Sequence, residues 1–249
     1  MGILQISILL TLLSSCQNSS GDGTIQVQKV DSVPPVTLKK PLREKVLTAE
    51  EQNALTPDMV IQSLKQGNIR YMNNDLTDRD HSAMVRNATK GQYPKAVILS
   101  CLDSRVPVED VFDKGIGDLF VARIAGNFVN NDLLGSLEYG CKVSGAKLIL
   151  IMGHESCGAI KAAIDDVKMG NITEMLKKIK PAVAGSKDFG GQKSSSNALY
   201  VEYVSKNNVR HAISEIRARS KILKEMEDAG QIKIIGAYYS INTGEVVFL

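Results

Sequence analysis

The chain has 249 residues, of which 43% are apolar and 23% are charged, and this length is ample for a domain with a hydrophobic core. The formal net charge is only +3, and the lysines and arginines are scattered among acidic residues. Binding to a nucleic-acid backbone needs a concentrated basic surface, so we expect no nucleic-acid partner.

The N-terminal segment resembles a bacterial lipoprotein signal peptide. The apolar run Ile3–Leu13 is too short to span a bilayer, and LSSC at its end resembles a lipobox. No lysine or arginine precedes the run, which departs from the usual pattern, and a frayed apolar N-terminus is the alternative. We predict a signal peptide over 1–15 and a lipidated Cys16. This lipid would attach the exported chain to a membrane on the periplasmic side of a bacterial cell envelope.

A tether is predicted between this anchor and the folded body. Residues 16–46 are rich in Ser, Gly, Pro, Val and Lys and show no sustained periodicity, which is typical of a flexible linker. The functional domain is therefore predicted over 47–249.

The domain begins with a helix and continues with apolar segments of strand length. Thr56 followed by Pro57 predicts the start of an amphipathic helix that extends to about Met72. Strands are predicted at Ala96–Ser100, Leu119–Ile124 and Leu148–Met152, helices at 107–112, 132–143, 157–167 and 198–229, and a terminal hairpin at 232–240 and 245–249.

Strands that are apolar throughout and are separated by helices indicate the α/β class. We predict a mostly parallel central β-sheet flanked by helices, with an N-terminal helical arm and a C-terminal hairpin. Ligands of such sheets gather at the carboxyl ends of the strands. Reactive residues of this chain follow two of the predicted strands.

Two cysteines and one histidine at these strand ends form a candidate zinc site. Cys101 follows the first strand, and His154 and Cys157 follow the third. Three such ligands leave a fourth position free, which is typical of a catalytic rather than a structural zinc site. In an exported chain the alternative is a disulfide between Cys101 and Cys157.

An acidic and a basic residue accompany the first cysteine. Asp103 can ligate a metal or accept a hydrogen bond from metal-bound water, and Arg105 can hold its carboxylate bidentately and keep it ionised. The alternative role of this pair is a salt bridge at the turn. We interpret Cys141 as a buried apolar residue of its helix and Glu155 as a surface residue.

The residues SCLDSRVPVEDVF, FVARIAGNFV, GSLEYG, LILIMGHESCGAIKAA and IIGAYYSINTGEV resemble beta-class carbonic anhydrases over roughly Pro57–Leu249. The resemblance implies reversible hydration of carbon dioxide to bicarbonate through a zinc-bound hydroxide. It also implies one Zn²⁺ per chain and a homodimer or homotetramer. By their place in the motifs, the implied zinc ligands are Cys101, His154 and Cys157, and the implied catalytic pair is Asp103 and Arg105.

The open-site branch of this family implies four substrate-binding positions. By match to the motifs these are Gln92, Phe120, Tyr139 and the backbone N–H of Gly158. In other members of the family the residue matching Asp103 swings onto the metal and closes the site. A zinc hydrolase of carbonyl sulfide or carbon disulfide on the same scaffold is one alternative. A non-catalytic exported lipoprotein with a Cys101–Cys157 disulfide is another.

Overall fold

The computed structural model describes residues 45–249. The predicted signal peptide, Cys16 and most of the predicted linker lie outside this range. Within it, no helix is both long and apolar enough to cross a membrane.

Helices and strands alternate through the first part of the described chain. They are α1 (Ala49–Asn53), α2 (Pro57–Met72), α3 (His81–Ala88), β1 (Ala96–Ser100), α4 (Val108–Val111), β2 (Leu119–Arg123), α5 (Asn131–Glu138), a π-helical turn (Tyr139–Val143) and β3 (Leu148–His154).

Helices dominate the second part until the chain returns to the sheet. The elements are α6 (Gly158–Ile164), α7 (Gly170–Lys177), α8 (Lys180–Ala184), α9 (Ala198–Arg219), α10 (Lys221–Asp228), β4 (Lys233–Tyr239) and β5 (Val246–Phe248).

The five strands form one sheet in the order β2-β1-β3-β4-β5. The first three pairings are parallel, and β5 pairs antiparallel with β4, which confirms the predicted sheet and terminal hairpin. Ser100, the last residue of β1, lies opposite Met152 of β3 and opposite Arg123 of β2. The residues that follow β1 and β3 therefore emerge side by side.

Both faces of the sheet are covered, as the uninterrupted apolar strands predict. On one face Ile149 and Ile151 of β3 belong to a cluster that includes residues of α5, α9 and α10. On the other, Leu148 and Leu150 pack in a cluster with residues of α2 and α4. Every residue of β3 is buried, so the end of this strand lies inside the protein.

The helix predicted to begin at Pro57 is α2 of the structure. The Thr56 hydroxyl accepts a hydrogen bond from the backbone N–H of Met59, and Pro57 begins α2. Buried Asn68 of α2 then donates to the carbonyls of Val111 and Gly244 at 3.1 and 2.8 Å. This side chain joins α2 to α4 and to the terminal hairpin.

The structure contains short helices without a predicted counterpart, among them α1 and α3, and it refines two predicted segments. The helix predicted at 132–143 widens into a π-helical turn at Tyr139, and a Cβ on Gly140 in that turn would lie 2.5 Å from Val97 Cγ2. The segment 198–229, predicted to be mostly helical, forms two helices, because Ser220 adopts an extended backbone and caps α10 with its side chain.

Candidate metal centre

The three predicted ligands meet at the carboxyl ends of β1 and β3. Cys101 follows β1, His154 is the last residue of β3, and Cys157 caps the start of α6. Their ligand atoms all lie within 4.8 Å of one another, and each residue is at most 5% exposed. The parallel register of β1 and β3 thus assembles a site from residues 53 positions apart in the chain, counted from Cys101 to His154.

The imidazole of His154 presents an unshared nitrogen to this group. Its Nδ1 donates to the backbone carbonyl of Glu155 at 2.9 Å, which leaves Nε2 as the nitrogen with the free lone pair. Nε2 is buried and has no hydrogen-bond partner among the described residues. A buried polar atom without a partner is costly, and a metal ion bound to Nε2 removes that cost.

The two thiols are spaced for a shared metal ion rather than for a disulfide. Cys101 and Cys157 are free cysteines with their Sγ atoms 3.9 Å apart, whereas a disulfide bond is about 2.05 Å long. Two sulfurs bound tetrahedrally to zinc at about 2.3 Å lie about 3.8 Å from each other. The structure therefore fits zinc and contradicts the disulfide alternative.

The buried thiols influence each other's protonation. The Cys157 thiol donates to Cys101, which lowers the pKa of Cys101, and the backbone N–H of Gly126, 3.3 Å from the Cys101 sulfur, lowers it further. The same hydrogen bond, together with burial, raises the pKa of Cys157. One thiolate is thus already stabilised by the protein, and metal binding displaces the remaining proton.

Asp103 and Arg105 form the predicted pair beside these ligands. The Arg105 Nε donates to Asp103 Oδ1 at 2.9 Å and its Nη2 to Oδ2 at 2.7 Å. These side-chain hydrogen bonds hold the pKa of Asp103 well below its usual range. Asp103 Oδ2 lies 3.9 Å from His154 Nε2, so an ionised carboxylate faces the site.

Sequence reasoning missed Arg123, which supports the loop after β1. Its Nε donates to the carbonyl of Cys101 at 2.9 Å, and its Nη2 donates to the carbonyl of Asp103. Arg123 could have been found from its position, because it ends β2 opposite Ser100 in the register of the sheet. Only the strand order reveals that these two ends are neighbours.

Glu155 lies at the surface, as interpreted from the sequence, but it is partly buried by contacts with the terminal hairpin. Its carboxylate accepts hydrogen bonds from the Ser240 hydroxyl and the Asn242 backbone N–H, each at 3.1 Å, and from the Asn242 side chain. Because β3 and β4 are neighbours, the terminal hairpin reaches the loop that carries the metal ligands. Glu155 therefore fastens this loop, including the carbonyl that orients His154.

The predicted substrate-binding residues divide into two groups. Gly158 begins α6, directly after Cys157, and is exposed. Phe120 and Tyr139 lie together, with ring centroids 6.4 Å apart, in an open and mostly apolar groove of about 620 Å³. Gln92 is exposed and precedes β1.

Within one chain, this second group does not reach the metal ligands. Phe120 lies opposite Val97, four residues before Cys101, which corresponds to about 13 Å along the strand. Gln92 lies still further from Cys101, beyond the opposite end of β1.

Comparison with known proteins identifies the family. A family model described as carbonic anhydrase matches residues 96–246. Carbonic anhydrase 2 of Mycobacterium tuberculosis is 32% identical over 194 residues, covering 74% of this chain and 89% of the relative. A carbonic anhydrase of Mycolicibacterium smegmatis is 31% identical over 190 residues, with the same coverages.

Solved structures agree in fold. One similar chain comes from the crystal structures of two tetrameric beta-carbonic anhydrases of Sordaria macrospora. It has a TM-score of 0.60 and 21% identity, and the match covers 68% of this chain and 86% of that one. A Coccomyxa beta-carbonic anhydrase in complex with acetazolamide has a TM-score of 0.59 and 27% identity, covering 68% and 77%. This chain belongs to the beta-class carbonic anhydrases, zinc enzymes that hydrate carbon dioxide reversibly.

The contacts of Glu155 predict that this residue supports zinc binding. Glu155→Ala removes the link between the ligand loop and the terminal hairpin, so we expect zinc affinity to fall by about tenfold or more. Competition with a chromophoric chelator measures this affinity. The matched control is Glu245→Ala, which removes an exposed carboxylate from the same hairpin and should leave affinity unchanged. Equal affinities for both variants would contradict the role of Glu155.

Proposed function

We propose that the chain hydrates carbon dioxide at a zinc ion held by Cys101, His154 and Cys157, with Asp103 beside the metal rather than bound to it. The observation that carries the proposal concerns His154 Nε2, which is buried beside two thiol sulfurs and has no hydrogen-bond partner in the part of the chain that the structure describes. The open form is supported by the bidentate contact with Arg105, which engages both oxygens of Asp103.

The residues beside the metal have a defined task. When bound, zinc supplies Lewis-acid activation of a water molecule at neutral pH. Asp103 is ionised, so it accepts a hydrogen bond from that water and cannot donate one. This orients a water lone pair toward carbon dioxide, while Arg105 balances the charge of Asp103 and fixes its direction.

This task predicts the effect of Asp103→Asn. The amide can donate as well as accept and carries no charge, so orientation of the water is lost and we expect the hydration rate to fall about 100-fold. Zinc content should stay at the wild-type level. Stopped-flow hydration and metal analysis on the same sample provide both values. The matched control is Asp110→Asn, an exposed carboxylate on α4. Loss of zinc in Asp103→Asn would instead identify Asp103 as a ligand.

The ligand charges predict the pH dependence. Two thiolates cancel the 2+ charge of zinc, whereas three neutral imidazoles leave it intact. A water molecule on zinc should therefore be harder to ionise in this site than in the unrelated carbonic anhydrases with three histidine ligands, in which the pKa of the water is about 7. We expect hydration to rise through the mildly alkaline range. Asp103 does not contribute to this rise, because its lowered pKa keeps it ionised throughout. A rate that stays flat from about pH 6 to 9 would contradict the charge argument.

The apolar wall for carbon dioxide is proposed to come from a second copy of the chain. Phe120 and Tyr139 are remote from their own Cys101, and half of the Tyr139 surface is exposed. Phe120 belongs to β2, the edge strand of the sheet, and the ring of Tyr139 lies next to it. In a homodimer or homotetramer, these rings would line the centre of the partner, and Gln92 and the Gly158 N–H would donate to the oxygens of the bicarbonate formed.

Mixing two inactive variants tests this arrangement. Asp103→Asn disables the metal side of a site and Tyr139→Arg disables the apolar wall. In a mixed dimer, one site would combine both defects and the other would have neither. Refolding the variants together should therefore restore about a quarter of wild-type activity, since half of the dimers are mixed. Activity no higher than the sum of the separate variants would place the wall within the same chain.

We also propose that Cys16 is lipidated and holds the enzyme on the periplasmic side of a bacterial envelope, with 16–46 as the tether. The support is the apolar run Ile3–Leu13 and the LSSC sequence. Metabolic labelling with an alkyne fatty acid should mark the wild type and the control Cys141→Ala. Cys16→Ser should carry no label. Label retained in Cys16→Ser would contradict the anchor.

A further inference from the structure

A tight turn beside the centre directs one backbone N–H at a metal ligand. The backbone N–H of Asn127 donates to the carbonyl of Ile124 at 3.0 Å, and Gly126 has φ +83°. This combination is that of a type II turn, in which the third residue needs a positive φ and is usually glycine. The N–H of Gly126 is not used by the turn and donates to Cys101 Sγ at 3.3 Å.

The turn packs closely against neighbouring side chains, which leaves no space for a side chain on Gly126. A Cβ on Gly126 would lie 2.4 Å from Ile179 Cδ1 and 3.2 Å from Ala159 Cβ. Glycine at this position therefore satisfies two requirements, the backbone conformation and the close approach of the neighbouring helices.

Asn208 holds the same turn from the opposite direction. Its side chain is fully buried in the middle of α9, and Nδ2 donates to the Gly126 carbonyl at 2.8 Å. A carbonyl only accepts, so this contact fixes the orientation of the amide. The helix itself lies against the sheet, because Gly153 of β3 leaves room for Val209. A rigid helix thus fixes one peptide of Gly126 while the preceding peptide faces the thiolate.

A hydrogen bond to a thiolate changes how the sulfur binds metal. It draws electron density from the sulfur, which donates less charge to the metal and leaves the metal a stronger Lewis acid. The effect depends on direction and distance, so a residue that holds the donor in place influences the metal without touching it.

We propose that Asn208 is a positioning residue that sets the charge donated by the Cys101 thiolate to zinc, acting through Gly126. The proposal rests on the zinc centre of the proposed function. It assigns Asn208 a part in the reaction although its side chain belongs to the hydrophobic interior. The amide side chain of Asn208 carries no charge at any pH, so it acts by its position and not by a change of charge.

Cobalt substitution of the full chain gives a direct readout. In Asn208→Ala the sulfur regains electron density, so the thiolate-to-cobalt charge-transfer band should move to longer wavelength. The pH midpoint of hydration by the zinc form should rise in parallel. The matched control is Ser205→Ala, one turn earlier on α9, whose buried hydroxyl has no partner within residues 45–249. This control should leave the band and the midpoint at their wild-type positions.

The possible outcomes distinguish failure of the role of Asn208 from failure of the zinc centre. A wild-type charge-transfer band that stays unmoved in Asn208→Ala would overturn the role of Asn208 alone. No charge-transfer band in the wild type would contradict the thiolate centre, and this proposal with it.

A measurement on the unaltered protein covers the case in which Asn208→Ala fails to fold. The chain is loaded with an NMR-active cadmium isotope, and scalar coupling between the metal and the Gly126 amide proton is sought. Coupling across the N–H···S contact is expected. Its absence in a fully loaded sample, with the amide resonance assigned, would overturn the proposal.

Discussion

The structure around the site depends on keeping two sulfurs and one imidazole nitrogen buried within reach of a single cation. Without a cation, this cluster includes a shared thiol proton and a His154 nitrogen that has no partner among the described residues. Such groups destabilise an interior, and a metal ion converts them into ligands. The parallel pairing of β1 with β3 and the start of α6 after Cys157 are the elements that make the arrangement possible.

The charges of the site follow from this ligand set. Two thiolates neutralise zinc formally, so a nearby carboxylate would add an uncompensated negative charge. Arg105 supplies the compensation and holds Asp103 ionised, while Arg123 secures the backbone of the same loop. The contacts of Glu155 fix the second ligand loop to the terminal hairpin. Each loop at the centre is thus held by side chains from a neighbouring part of the sheet.

The sequence allowed the sheet and the ligand triad to be predicted because both leave local signals. Continuous apolar runs mark buried parallel strands, and reactive residues at strand ends are expected to meet at one edge. Glu155 and Asn208 left no such signal. Their partners lie 85 and 82 residues away in the chain, at Ser240 and Gly126, and become neighbours only after the fold is complete.

Phe120 and Tyr139 illustrate a different limit. Their match to the family predicted a place in the substrate pocket, yet they lie at a distance from the metal ligands of their own chain. A sequence identifies a residue without identifying which copy uses it. In the proposed assembly, these two rings gain their role when a second copy covers the sheet edge.

The most direct test of the account is zinc content and carbon dioxide hydration measured on the same sample, for wild type, Cys157→Ser and Cys141→Ala. Cys141 is equally buried, but its pKa is raised to about 12 by burial and it lies in a different apolar cluster, so it serves as the matched control. The account predicts about one zinc per chain with fast hydration in wild type and Cys141→Ala, and loss of both in Cys157→Ser. Full zinc without hydration would contradict the proposed reaction and favour a related substrate such as carbonyl sulfide. Zinc retained in Cys157→Ser would contradict the ligand set itself.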